Sequence, residues 1–451
     1  MITGKIPGVE RPIALRRARI VLDLAAETVR EDAGIAVRDG KIALVGSTAD
    51  VDRWTAEHAA ESPEVVDLAG KVVLPGLINA HTHLYSTLAR GMPLVGAAPA
   101  DFKQILERIW WPLDRALEDE DVSLSALIGL AEHARAGVTT VIDHHASEGA
   151  IEGSLDLVAR AARDLGVRVS TCFEVTDRDG PDGARRGIAE NVRFARAERG
   201  ALGGIAQVVP TFGLHAALTL SDETLERAKD ARATSGLRSF HVHVAESRFD
   251  PNAVERLANR GILSGQAIAA HCVHVSDRER GILKDTGTLV VTNPSSNRNN
   301  AVGRADLSAH MKAGVPIAVG TDGMSPDILG EAAQVFLGAK GGDPRGGWTE
   351  AQAALAGTRR VADSLFGRGL GAITVGGPAD LALLDYEPWT PFESWLSHVL
   401  YGGLGARVAS TLCGGRWVYR DGRFPGSLDL ERATARARER ARLLWRRRKV
   451  P

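Results

Sequence analysis

Residues 76–87 read GLINAHTHLYST, an apolar run that ends in two histidines one residue apart, His81 and His83. Side chains at i and i+2 of a strand leave the same face, so a strand here aims both imidazoles into one space, where they can share a metal ion. Alone the pair decides little, because two histidines on one strand face also occur as satisfied polar residues of a core. What decides the reading is the recurrence of the same pattern downstream.

Eight apolar or β-branched runs end in polar residues: VVLPGLINAHTH, TTVIDHH, RVSTCFEV, QVVPTFGLHA, SFHVHVAE, AIAAHCVHV, TLVVTNPSS and PIAVGTDG. Helix-like stretches separate them, among them DEDVSLSALIGLAEHARAG and EGSLDLVARAARDLG. Strand and helix in alternation imply a parallel sheet covered by helices. Eight such units over roughly 300 residues predict an α/β fold of the (β/α)8 TIM-barrel type, with the active site at the C-terminal strand ends. Every polar cluster named above falls at such an end.

The flanks have a different texture. GIAVRDGKIALVG reads as two strands about the turn dipeptide Asp39-Gly40, and GPADLALLDY and STLCGGRWVYRDGRF repeat it near the other terminus, with Gly414-Gly415 and Asp421-Gly422 as turns. The two flanks are therefore expected to build one small composite β-sandwich domain. The expected division is 1–75 and 373–429 for the two parts of that domain, 76–372 for the barrel, and 430–451 for a basic helical tail. That tail carries nine Lys or Arg against two Glu. A helix packing Leu443, Leu444 and Trp445 on the barrel explains it better than a nucleic-acid or membrane contact.

The 451 residues exceed the usual single-core size, and 44% hydrophobic with 25% charged residues is ordinary globular composition. A formal net charge of -1 supplies no field to draw in nucleic acid or an anionic membrane, so a small neutral substrate is expected. The opening residues hold no uninterrupted apolar core of a signal peptide, and no run approaches the ~18 apolar residues of a membrane span. The expectation is a cytoplasmic protein. Three widely spaced cysteines, Cys172, Cys272 and Cys413, suit reduced thiols better than a disulfide framework. A homo-oligomer, dimer or tetramer, is expected.

Further strand ends strengthen the metal reading. SFHVHVAE carries His243 and Glu246, AAHCVH carries His271, and VGTDG carries Asp322. A single divalent ion needs imidazole and carboxylate donors converging from different strands, and His81, His83, His243 and Asp322 can supply them.

In order along the chain, PGLINAHTH, GLHA, HVHVAE, AAHCVH, TNPSSN and GTDG resemble the amidohydrolase superfamily over nearly the whole length. They look like its mononuclear branch, which contains deaminases and triazine hydrolases. LARGM, IDHHAS, IEGSLD, TDRDG and NNAVG look closest to SsnA-type aminohydrolases. The resemblance implies that His81, His83 and His243 ligate one divalent metal, Zn2+ or alternatively Fe2+, with Asp322 completing the site. It implies Glu246 as proton shuttle, His271 as the group that holds the attacking water or polarises the substrate, and His215 as a substrate contact. His145 and Asn297 are further candidates for substrate binding.

The chemistry agrees with these roles. A bound divalent ion lowers the pKa of its water from ~16 to about 7, which gives hydroxide at neutral pH. Attack on an amidine-like ring carbon then requires protonation of the adjacent nitrogen, a task suited to Glu246 three residues after a ligand. Asp322 can take the water's proton and pass it to departing ammonia. The expected reaction is hydrolytic deamination of a purine-, pyrimidine- or pterin-like heterocycle, and the alternative is a triazine-type hydrolase releasing chloride or alkylamine. A non-catalytic scaffold would have lost some of these groups, and all are present.

Several neighbours have plainer readings. His241 is expected in the packed layers below His243, and His274 toward a helix or loop. Only one of His144 and His145 can face inward, and Cys272 is expected to pack rather than react. QVVPTFGLHA lacks the lysine that bridges two metals in dinuclear relatives, and Thr292 stands where many relatives have histidine.

Overall fold

The computed structural model describes residues 11–198, 207–403, 407–426 and 428–450. The first ten residues of the N-terminal flank and the last residue of the tail lie outside them. Two parallel sheets make the barrel. One holds Leu77–Thr82, Val138–Asp143, Arg168–Thr171 and Val208–Pro210, and the other holds Phe212–Ala216, Phe240–Val244, Ile268–His271, Leu289–Thr292 and Ile317–Val319. The fourth barrel strand contributes to both, interrupted at Thr211. A parallel bridge between Thr82 and Asp322 joins the eighth strand to the first, and one between Val175 and Leu214 joins the third to the fourth. Eight strands thus form the ring that the eight runs predict.

Most strand residues are buried on both faces, as a sheet lined by side chains inside and helices outside requires. The connecting helices carry their own stop and start signals. Ser154–Leu165 lies between Gly153 and Gly166, both left-handed at φ 82° and 83°. Ser276 and Glu279 form a reciprocal capping box at the start of Asp277–Asp285.

Both flanks join one eight-stranded sheet. Val72–Pro75 runs antiparallel to Leu381–Leu384, with Val73 opposite Leu383, so N- and C-terminal segments meet at the centre of the sheet. In its first strand, Ile13–Val21, a register shift falls between Leu15 and Ala18, where Arg17 has φ 55°. Before the shift the strand pairs with Glu64–Asp67, and after it with Val72 and Val73. The sheet folds there over a shared core that includes Leu15, Ile20, Ile35, Leu381 and Leu412. Asp39 and Gly40 both have positive φ, as the tight hairpin between Val29–Arg38 and Lys41–Ser47 requires.

The tail forms a helix, Leu430–Arg447, on the barrel helix Asp119–Arg135. Arg440 Nε donates to Asp121 Oδ1 at 2.8 Å and Nη2 donates to Glu118 Oε2 at 2.6 Å, so its charge is used within the chain. Leu444 is fully buried and Trp445 Nε1 donates to Leu88 O at 2.8 Å. Leu443 departs from the expectation: the helix turns it outward, and it is exposed. Among the described residues no helix is long and apolar enough to cross a membrane.

Candidate metal centre and active site

The strand ends bring His81, His83, His243, His271 and Asp322 together at one end of the barrel. Donor atoms of His81, His83 and Asp322 lie within 4.8 Å of one another, as do those of His81, His243 and His271, and those of Glu246, His271 and Asp322. Backbone geometry seats the last of these. Thr321 N and Asp322 N both donate to His81 O, at 2.9 and 3.0 Å, and Asp322 adopts φ 54°. His271 and Cys272 are left-handed as well, at φ 74° and 47°. Non-glycine residues in this region store strain, and such residues gather at functional sites.

The hydrogen bonds fix the tautomers. His83 Nδ1 donates to His144 O at 2.6 Å and His243 Nδ1 donates to His215 O at 2.8 Å. Each ring therefore presents a bare Nε2 lone pair, yet these two nitrogens stand 3.2 Å apart. Two acceptors facing each other repel unless a cation lies between them. Two nitrogens ~2.1 Å from a tetrahedral ion stand about 3.4 Å apart, which the observed spacing fits. His81 Nε2 and His271 Nε2 are buried without a hydrogen-bond partner, and Asp322 Oδ1 lies 3.2 Å from His83 Nε2. The donor set fits one divalent ion.

Electrostatics point the same way. Burial pushes the imidazoles of His81 and His243 well below their ordinary pKa and lowers that of His83, which keeps their lone pairs available. Burial opposes ionisation of Asp322, but hydrogen bonds from Ser296 Oγ and Gly323 N help to hold its carboxyl below the usual range. Glu246 goes the other way: burial raises its carboxyl, while Asn300 Nδ2 donates to its Oε1 at 3.3 Å. Its other oxygen lies 3.5 Å from His271 Nε2. A carboxyl that keeps its proton near neutral pH beside an ionised one gives an acid and a base in one cavity.

That cavity, open to solvent, is lined by His83, His215, His243, Glu246, His271 and Asp322 among others. Phe102, Leu106 and Trp110 supply an apolar side. His145 and Asn297 are absent from the lining. His145 Nε2 bonds Ser147 Oγ at 2.9 Å beside Phe173, and Asn297 Oδ1 accepts from His271 Nδ1 at 2.8 Å, so Asn297 orients His271 from behind. His144 is the inward member of its pair, 3.2 Å from Glu174 Oε2 through Nδ1. His274 bonds Val302 O in a loop, and burial raises the Cys272 thiol, which suits packing.

Sequence reasoning missed two groups. His241 does more than pack, since its Nε2 meets His81 Nδ1 at 2.8 Å. Glu174 and Arg178 also line the cavity, joined by Asp114 from a helix 64 residues away. Glu174 closes the third barrel-strand run and could have been flagged by position, whereas Asp114 carried no signal.

A closed parallel barrel with a composite β domain and convergent histidines and aspartate at its strand ends defines a metal-dependent hydrolase. The amidohydrolase family model matches residues 72–418, and the chain belongs to that family. It is 30% identical over 427 residues to a 5-methylthioadenosine/S-adenosylhomocysteine deaminase of Moorella thermoacetica, covering 90% of this chain and 94% of the relative. A 5'-deoxyadenosine deaminase of Methanosarcina mazei is 29% identical over 415 residues, covering 87% of this chain and 91% of that one. Among solved structures, an adenosine deaminase of Xanthomonas campestris with bound zinc superposes with TM-score 0.81 at 25% identity, covering 96% and 98% of the two chains. Atrazine chlorohydrolase of Arthrobacter aurescens TC1, complexed with zinc, shares the fold at TM-score 0.75 and 23% identity, covering 96% and 100%. This chain is a hydrolytic enzyme of C–N bonds.

Proposed function

We propose that the chain hydrolytically deaminates a purine-like heterocycle, with His81, His83, His243 and Asp322 holding one Zn2+. The observation that carries the metal assignment is the pair of bare Nε2 atoms of His83 and His243 at 3.2 Å. Zinc is favoured over Fe2+ by the zinc-bound structural relative. When bound, the ion acidifies water and so supplies the nucleophile at neutral pH.

The chain's own groups do the rest. His271, donating through Nδ1 to Asn297, offers Nε2 as an acceptor that orients the attacking water. Glu246 delivers its proton to the ring nitrogen next to the attacked carbon, because attack drives negative charge there. Asp322 takes the proton released by water and passes it to the amino group, which leaves as ammonia, and the added hydroxyl returns its proton to Glu246, leaving a ring carbonyl. Phe102, Leu106 and Trp110 bound the ring and limit bulk water. The names of the relatives support a purine substrate. Three buried free thiols, Cys172, Cys272 and Cys413, support a reducing, cytoplasmic setting.

The test is ammonia release by zinc-loaded protein from adenosine-type nucleosides in 18O-labelled water. Ammonia with one labelled oxygen entering the ring is the expected result. Absence of label, or release of chloride or alkylamine from triazines without ammonia from any purine, overturns the proposal.

A further inference from the structure

One short helix touches all three groups that the proposed reaction uses to move or orient protons. Pro294–Asn299, with Asn300 at its C-terminal end, follows the seventh barrel strand. Ser296 Oγ donates to Asp322 Oδ2 at 2.6 Å, Asn297 Oδ1 accepts from His271 Nδ1 at 2.8 Å, and Asn300 Nδ2 donates to Glu246 Oε1 at 3.3 Å. Glu331 anchors the start of the helix, its Oε2 accepting from Ser295 N at 3.0 Å. The proposed chemistry leaves Asn300 unassigned.

The direction of these bonds defines what Asn300 does. A hydroxyl has one proton to give, and Ser296 gives its proton to the Asp322 carboxylate. Toward Asn300, 3.3 Å away, the Ser296 oxygen can then only accept, so Asn300 must turn its NH2 that way. The amide oxygen accepts from Asn299 Nδ2 at 3.1 Å. The second hydrogen of the same NH2 is directed at Glu246 Oε1. That oxygen is therefore an acceptor, and a protonated Glu246 must carry its hydrogen on Oε2. Oε2 is the oxygen on the His271 side, 3.5 Å from Nε2, and the Glu246 side chain keeps 12% of its surface open in the cavity lining.

We propose that Asn300 is a positioning residue for the general acid: it holds Glu246 Oε1 as an acceptor and so places the transferable proton on Oε2, toward the bound ring. The proposal rests on the reading of Glu246 as the acid. When the Oε2–H bond breaks and the ring N–H bond forms, Oε1 keeps the Asn300 hydrogen bond, which then supports a carboxylate and is stronger for it. Base and acid are linked through this chain, since reversing the Asn300 amide requires Ser296 to withdraw its proton from Asp322.

Two substitutions separate polarity from shape. Asn300→Leu removes the N–H and leaves the proton free to sit on either oxygen. Asn300→Asp keeps the shape but offers an acceptor, which draws the proton to Oε1 and away from the ring. With adenosine and zinc-loaded protein, kcat should fall at least about 10-fold in Asn300→Leu and further in Asn300→Asp, while KM and zinc content stay near wild type. A role in shape alone predicts the opposite order, because Asp replaces Asn atom for atom. The infrared C=O stretch of the Glu246 carboxylic acid at mildly acid pH, assigned by its loss in Glu246→Gln, reads the same contact without turnover. Losing the N–H on Oε1 should move it to higher wavenumber in Asn300→Leu, and Asn300→Ala takes that place should Asn300→Leu fail to fold. An unmoved band in the folded variant, or more turnover in Asn300→Asp than in Asn300→Leu, overturns the proposal. A Glu246→Gln spectrum with no band missing overturns the acid reading and this proposal together. A wild type that shows the band and its shift but releases no ammonia from any purine would sink the deaminase reading alone.

Discussion

His83 and His243 illustrate how a side chain's second atom sets the chemistry of its first. Because each Nδ1 is committed to a backbone carbonyl, each Nε2 has no proton and can only accept. His243→Ala should therefore remove most bound metal, measured by elemental analysis. Glu246→Gln should retain it while turnover falls by ~100- to 10,000-fold, the range typical of a lost general acid. Normal turnover by Glu246→Gln with metal in place would end the proton-shuttle role. His241 acts one step further out. For His81 to present Nε2 to a metal, its Nδ1 must donate, so His241 Nε2 is the acceptor that fixes the ring. His241→Phe should weaken zinc affinity ~10- to 100-fold in chelator competition. His241→Gln, which can still accept, should lose less; equal losses in the two would assign His241 to packing.

At the scale of elements, the junction of the eighth and first strands carries the site. A Cβ added to Gly320 would stand 2.7 Å from His81 N and O and 2.8 Å from Asn293 Oδ1. Those neighbours are backbone and a buried amide, which cannot give way cheaply. Gly320→Ala should thus push Asp322 away from His81 and lower both zinc affinity and thermal stability. A variant with wild-type metal content and melting temperature would show that the junction tolerates the extra carbon. This level also marks the limit of what the sequence reveals. His81, His83, His243, His271 and Asp322 were legible because period-two geometry and strand-end position fix where they point. His241 obeys the same period, but nothing along the chain separates a packed imidazole from one that meets the His81 ring. Asp114 reaches Arg178 across 64 residues, a pairing no local pattern encodes. Leu443 turned outward for a related reason: which face of an arginine-rich helix docks is decided by Glu118 and Asp121 on another helix.

For the whole molecule, the question is whether the flanks act as one body. We propose the division near residues 75, 372 and 429, with both flanks belonging to the same unit. Its centre is the antiparallel pairing of Val72–Pro75 with Leu381–Leu384. A buried ion pair fastens that unit to the barrel: Arg168 opens the third barrel strand, Asp380 precedes Leu381–Leu384, and Cys413 Sγ lies 3.0 Å from the same Arg168 nitrogen. Removing one partner of a buried pair leaves an uncompensated charge and typically costs about 3–5 kcal/mol. Asp380→Ala should therefore lower the melting temperature of barrel and flanks together, in one transition. Limited proteolysis should agree, since a strand held on both sides by a continuous sheet does not leave when its connection to the barrel is cut. The first 75 residues should stay associated with the remainder under native conditions. Their release as an independently folded fragment, or two separate melting transitions in Asp380→Ala, would show that the flanks do not share one cooperative sheet.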